Sequence, residues 1–123
     1  MNTKIILPVL FALLFAGCAS STPRQIYYWN GSYTASTYDY LNETSDFYKH
    51  IDELEETVEY AYASGRKIPP GLLAHIGLLY SNIGNDQKAS MYLEKEAEIF
   101  PESRAYIEFL KQQKLKKGRK NGK

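Results

Sequence analysis

Residues 69–101 read PPGLLAHIGLLYSNIGNDQKASMYLEKEAEIFP, and this stretch decides the fold. Leu72, Leu73, Ile76, Leu79, Tyr80 and Ile83 recur at steps of three and four, which lays one apolar stripe along a helix. Gly77 interrupts the stripe. A glycine inside a helix costs about 1 kcal/mol against alanine, so its presence predicts a second helix crossing too closely for a Cβ. Gly84, Asn85 and Asp86 supply the left-handed exit from the first helix and the cap of the next. The second helix turns Ala89, Leu93 and Phe100 inward, with Tyr92 and Ala97 beside them, and Pro101 stops it. Pro70 fits the first turn of the hairpin, where a missing amide proton costs nothing.

Ile76-Gly77, Tyr80, Gly84, Ala89, Leu93 and Pro101 stand in the register of one tetratricopeptide (TPR) repeat, which this stretch resembles. Leu73 takes the place usual for tryptophan, and Glu96 stands where the repeat has a small residue. The resemblance implies an all-α array of about four helices. It also implies a groove lined from the first helix by Gly71, Ala74, Leu78, Ser81 and Asn82. The clamp by which some such repeats hold a terminal carboxylate needs lysine and asparagine where Ala74 and Leu78 stand. An apolar helix or extended segment therefore suits this groove better.

Ahead of the hairpin, the chain begins with Lys4 and an apolar run over residues 5–15, then Ala16, Gly17 and Cys18. The run is too short to span a bilayer and reads as an export signal. Phe15-Ala16-Gly17-Cys18 resembles a bacterial lipobox, which implies cleavage before Cys18 and lipidation of its thiol. Cys18 is the single cysteine of the chain, and lipidation would consume a thiol that otherwise stands unpaired in an oxidising compartment. Ala19-Ser20 lacks the aspartate of an inner-membrane retention signal, so the resemblance places the protein at the outer membrane, facing the periplasm.

The expected organisation is a signal over 1–17, a lipidated cysteine and tether over 18–32, a TPR-like helical domain over 33–110 and a disordered basic tail over 111–123. The tether side holds an aromatic cluster of Tyr27, Tyr28, Trp29, Tyr33, Tyr38 and Tyr40. Such rings either cover the helices behind them or offer contact area to a partner, and their spacing does not separate the two. A long helix is expected from Glu43 or Thr44 to about Ser64 and Gly65. Phe47, Ile51, Leu54, Val58 and Ala61 form its seam, and Asp52, Glu53, Glu55, Glu56 and Glu59 its solvated face. Beyond Pro101, Ala105, Tyr106, Phe109 and Leu110 are expected to close over the hairpin.

Charge divides the chain. From residue 111 onward there are seven basic groups and no acidic one, against 15 basic and 14 acidic groups in all. An acidic body thus carries a basic arm, with Lys111, Lys114, Lys116, Lys117, Arg119 and Lys120 as candidates for anionic lipid or an acidic partner. Nucleic acid is not expected for an exported chain. His50 and His75 fall on different helices, and no nucleophile elbow, phosphate loop or paired-ligand spacing is present. The sequence therefore predicts no catalytic or metal site, no cofactor and no small-molecule substrate. Glu96 reads as a carboxylate reaching out from a helix flank rather than a catalytic acid.

The lipobox, Tyr28-Trp29, Pro69-Pro70-Gly71, Gly77-Leu78-Leu79-Tyr80 and Phe100-Pro101-Glu102-Ser103 together are similar to a family of small bacterial TPR-like lipoproteins of unassigned function. Its members are often encoded beside a lipoprotein resembling the curli secretion pore. That resemblance implies a lipid-anchored adaptor for a protein of the envelope, another lipoprotein or a pore-like subunit. Tyr28, Trp29, Ala74, Leu78, Ser81 and Asn82 are the expected contact residues. The rivals are a pilotin-like chaperone that escorts a pore subunit, and a wall-binding or wall-active protein.

Overall fold

Gly84 and Asn85 divide the central stretch as the sequence predicts. Gly84 takes φ +79°, and the Asn85 side chain caps the following helix by accepting from the Lys88 amide. The computed structural model of the chain describes residues 23–121, with side chains described through Lys114. The expected signal, Cys18, and the side chains of Lys116, Lys117, Arg119 and Lys120 lie outside that range. Among the described residues the chain is all-α. It forms α1 (Ser32–Leu41), α2 (Phe47–Ala63), α3 (Leu72–Asn82), α4 (Asp86–Ile99) and α5 (Arg104–Asn121), with a 3-10 turn Pro101–Ser103 before the last. No described helix is long and apolar enough to cross a membrane.

The α3–α4 hairpin is the centre of the body. A Cβ built on Gly77 would stand 3.0 Å from Leu93 Cγ and 3.1 Å from the Ala89 carbonyl oxygen, so α4 does cross at the glycine. Leu72, Leu73, Ile76, Leu79 and Tyr80 of α3 are buried with Ile51, Leu54 and Ala61 of α2 and Ala89 of α4. On the other side of the hairpin Ala74, Leu93 and Ala97 pack on Ile107 of α5, with Leu110 at the edge.

Three boundaries and one helix rotation differ from expectation. Helix α2 opens at Asp46, whose carboxylate accepts from the Lys49 amide. Thr44 instead closes α1, because its amide and hydroxyl both donate to the Asp39 carbonyl. Helix α3 starts at Leu72, two residues beyond Pro70, with Gly71 as its cap at φ +88°. In α5 Ile107 is the buried residue, while Ala105, Tyr106 and Phe109 face outward. At 3.6 residues per turn Tyr106, Ile107, Phe109 and Leu110 spread over about 160° of the helix surface, so periodicity gives the apolar side but not which of its residues lies innermost. The backbone also stays helical through Asn121, where the basic run predicts disorder. Lysine, glutamine and leucine are good helix formers, and Lys111 pairs with Glu94 while Lys114 pairs with Asp86.

The largest departure is on the tether side. The chain is held from Ile26 onward, seven residues ahead of the expected start of the domain: Tyr28 N–H donates to the Lys67 carbonyl at 2.9 Å and Lys67 N–H to the Ile26 carbonyl at 3.0 Å. Asn30 then donates to the Thr57 hydroxyl, and residues expected only as an aromatic cluster form α1. Tyr33, Ser36 and Tyr40 repeat at helical spacing and face the body.

Candidate interaction surfaces

Helix α1 lies over His75 of α3. Ser36, fully buried, has its hydroxyl 2.9 Å from His75 Nε2, and the rings of Tyr33 and Tyr40 flank the imidazole at 5.8 and 5.6 Å. Burial lowers the His75 pKa to about 4, His50 adding to the effect and the Ser36 contact opposing it. One turn away, Asp39 of α1 meets His50 Nε2 of α2 at 3.0 Å. These polar pairs fix the short α1 helix, whose own sequence is poor in strong helix formers.

The sequence reading of Glu96 is corrected by its burial, which is complete. From α4 it accepts from the Gly71 amide at 2.6 Å and the Ala74 amide at 3.3 Å, and so caps α3 from outside that helix. Burial raises its pKa; the amides of Gly71, Ala74 and Leu73 and the Ser103 hydroxyl pull the other way. A small residue at this position would let α5 approach, but it would leave those amides without a partner. Gly71 closes the same corner, since a Cβ there would come 2.5 Å from the Tyr33 hydroxyl.

Glu55 likewise leaves the solvated face expected of it. Its Oε1 accepts from Tyr80 at 2.6 Å and from Tyr92 at 2.8 Å, and the two rings stack 5.6 Å apart. Lys88 completes the group from the surface through the Tyr80 hydroxyl. Burial, then the bond to Glu55, raises both phenol pKa values. This network ties α2, α3 and α4 together and serves the frame. Among the described residues no three histidine, cysteine or carboxylate side chains gather as metal ligands.

The six residues expected at a partner surface do not form one patch. Ala74 is 4% exposed and packs beneath α4 and α5, so it is withdrawn from any partner. Leu78 and Ser81 are half-buried and Asn82 is exposed, its amide nitrogen donating to the Leu78 carbonyl. Tyr28 is half-buried against the core and stacks on Tyr60. Trp29 is exposed with its ring edge-on to Tyr33 at 5.6 Å. Tyr33 sits at the N-terminus of α3, whereas Ser81 and Asn82 are at its C-terminus, about 16 Å along an 11-residue helix. Of the basic candidates, Lys111 and Lys114 are engaged with Glu94, Glu108 and Asp86.

Sequence reasoning included Tyr38 in the aromatic cluster but missed Leu41 and Tyr48, and with them the outer face of α1. Tyr38 and Leu41, one turn apart, are 68% and 75% exposed, with the exposed Tyr48 following at the start of α2. The signal was available in the spacing of residues 33, 36 and 40 as an inner face, which leaves 34, 38 and 41 outside.

Residues 26–110 match the family model described as a domain of unknown function (DUF4810), and the chain belongs to that family. No curated protein and no solved structure matches it.

Proposed function

We propose that this member of the DUF4810 family is a lipid-anchored adaptor of the bacterial outer membrane, facing the periplasm, that binds an envelope protein through its TPR-like helical surface. The partner is a neighbouring lipoprotein or a secretion-pore-like subunit. Cys18 carries the anchor. The observation that supports the adaptor reading most is the uncovered outer face of α1. Helical-hairpin arrays bury their faces by stacking neighbours, and this array stops at a helix whose Tyr38 and Leu41 are more than two-thirds exposed. Leu78, Ser81 and Asn82 extend that surface along α3, since Asn82 lies 3.4 Å from the Tyr40 hydroxyl of α1. Tyrosine offers a large contact area at little cost in side-chain entropy on docking.

The test is co-purification from detergent-solubilised membranes with three chains: the wild type, Tyr38→Ala with Leu41→Ala, and Leu78→Asp. Loss of the partner in the α1 variant, with unchanged circular dichroism, supports the reading. A partner retained by both folded variants overturns this surface.

A further inference from the structure

The end of the body where the tether arrives has a composition that neither the helical core nor the α1 surface uses. The chain is bonded into the body at Ile26 and Tyr28 through Lys67, so the tether leaves beside the C-terminus of α2. Ile26 is 62% exposed there, although it lies at the root of a hydrogen-bonded segment. Tyr27 and Trp29 alternate with the inward Tyr28 along the extended stretch, and both are exposed. Arg24, Arg66 and Lys67 are exposed around them, and the exposed Tyr60 and Tyr62 stand on the last turn of α2. Glu56 and Glu59 line a groove with Tyr60 and Ala63 on α2, and Glu98 and Glu102 stand at the end of α4 and in the turn after it, so carboxylates border this end while Arg24, Arg66 and Lys67 lie along the extended segment itself.

Exposed isoleucine, tyrosine and tryptophan interleaved with cations suit the headgroup layer of an anionic bilayer. Aromatic rings prefer that mixed environment, and the cations meet lipid phosphates. Chain length supplies the second argument. Eight Cα steps separate Cys18 from Ile26, so a lipidated Cys18 would hold Ile26 no more than about 28 Å from the membrane. A random coil of eight steps averages roughly 16 Å end to end, comparable with the radius of a body of this size. Docking is then intramolecular, and a face too weak to bind vesicles from solution suffices.

We infer that the face formed by Arg24, Ile26, Tyr27, Trp29, Arg66 and Lys67 lies on the anionic bilayer surface and orients the anchored body. The inference rests on the lipid anchor of the proposed function. It does not depend on the α1 partner surface.

Trp29 is the single tryptophan of the chain, so its fluorescence reports this face alone. The full-length protein, purified from membranes, is reconstituted into vesicles of phosphatidylethanolamine and phosphatidylglycerol with and without brominated acyl chains. Acylation at Cys18 is read by intact mass. The expected results are loss of most Trp29 emission in brominated vesicles and recovery of emission in Ile26→Asp with Lys67→Glu. Both substitutions are at exposed side chains, and circular dichroism checks that the variant folds. High salt is expected to restore part of the emission in the wild type.

An acylated chain whose Trp29 stays unquenched by brominated lipid and open to acrylamide overturns the docking and leaves the anchor standing. Trp29 shielded from acrylamide yet unquenched by brominated lipid also overturns it, because protein rather than lipid then covers the face. A chain without an acyl adduct overturns the anchor, and the docking with it.

Discussion

Replacing Gly77 by alanine sets two effects of known size against each other. Alanine gains about 1 kcal/mol of helix propensity over glycine. The new methyl would lie 3.0 Å from Leu93 Cγ, 3.1 Å from Leu93 Cδ2 and 3.1 Å from the Ala89 carbonyl oxygen, where unstrained carbon contacts want about 3.5–4.0 Å. Leu93 is packed against Ala74, Ala97 and Ile107, so its rotation is blocked. The Ala89 carbonyl is helix backbone and moves only if α4 moves. Overpacking of this kind costs about 1–3 kcal/mol, so the net change is a destabilisation of about 0–2 kcal/mol. At about 4–8 °C per kcal/mol for a body of this size, Gly77→Ala lowers Tm by several degrees, and Gly77→Leu lowers it much further. Thermal unfolding followed by circular dichroism measures both, with Ser90→Ala on the exposed side of α4 as a control for propensity alone. A Gly77→Ala protein that melts higher than wild type by the full propensity gain would refute the close crossing.

Two further outcomes follow from buried ionisable groups. Glu96→Gln turns an amide NH2 toward backbone N–H donors that now meet carboxylate oxygens, and it should lower stability by about 1–3 kcal/mol in urea titration; an unchanged midpoint would mean that α3 does not need this cap. His75, neutral in the fold with its pKa lowered from 6.5 to about 4, takes up a proton more readily when unfolded. Its stabilising effect is therefore complete above pH of about 6.5 and is lost as pH falls toward about 4, a loss of about 3 kcal/mol at most. Glu96, with a raised pKa, acts in the opposite sense, so the measurement is the pH slope of wild type minus that of His75→Gln; equal slopes would place His75 in water.

The hairpin was legible because its signals agree at every level. Stripe, glycine, turn and proline all specify the same pair of helices, and a mid-helix Gly77 has few uses other than a close crossing. Helix α1 was hidden because Ser32, Thr34, Ser36, Thr37 and Asp39 disfavour helix locally. What fixes it is distant in sequence: His75 from α3 and His50 from α2. Glu96 and Glu55 look like surface groups in the sequence for the same reason. Whether a carboxylate on a helix is solvated depends on which donors another segment brings to it, here the start of α3 and the tyrosines of α3 and α4. The rotation of α5 was open because its apolar residues spread over about 160° of the helix, so the sequence does not single out Ile107 as the innermost.

The arrangement separates the two ends of the body. Ile26, Lys67, the start of α3 and the end of α4 share one end, since Glu96 meets Gly71 there. Leu41, the end of α3 and the start of α4 share the other, as Tyr40 approaches Asn82 and α5 reaches Asp86 through Lys114. Helix α5 continues seven residues past Lys114 to Asn121, about 10 Å further in the same direction. A body anchored through Cys18 and lying on the bilayer by the Ile26 face would therefore point both the α1 surface and the basic end of α5 away from that membrane. Under that geometry the basic arm would meet an acidic partner rather than the lipid that the proposed anchor would enter. Charge reversal of Lys67 should then alter membrane contact, while charge removal at the end of α5 should alter partner binding. The two effects are separable because about 25 Å of helix α2 lies between the ends.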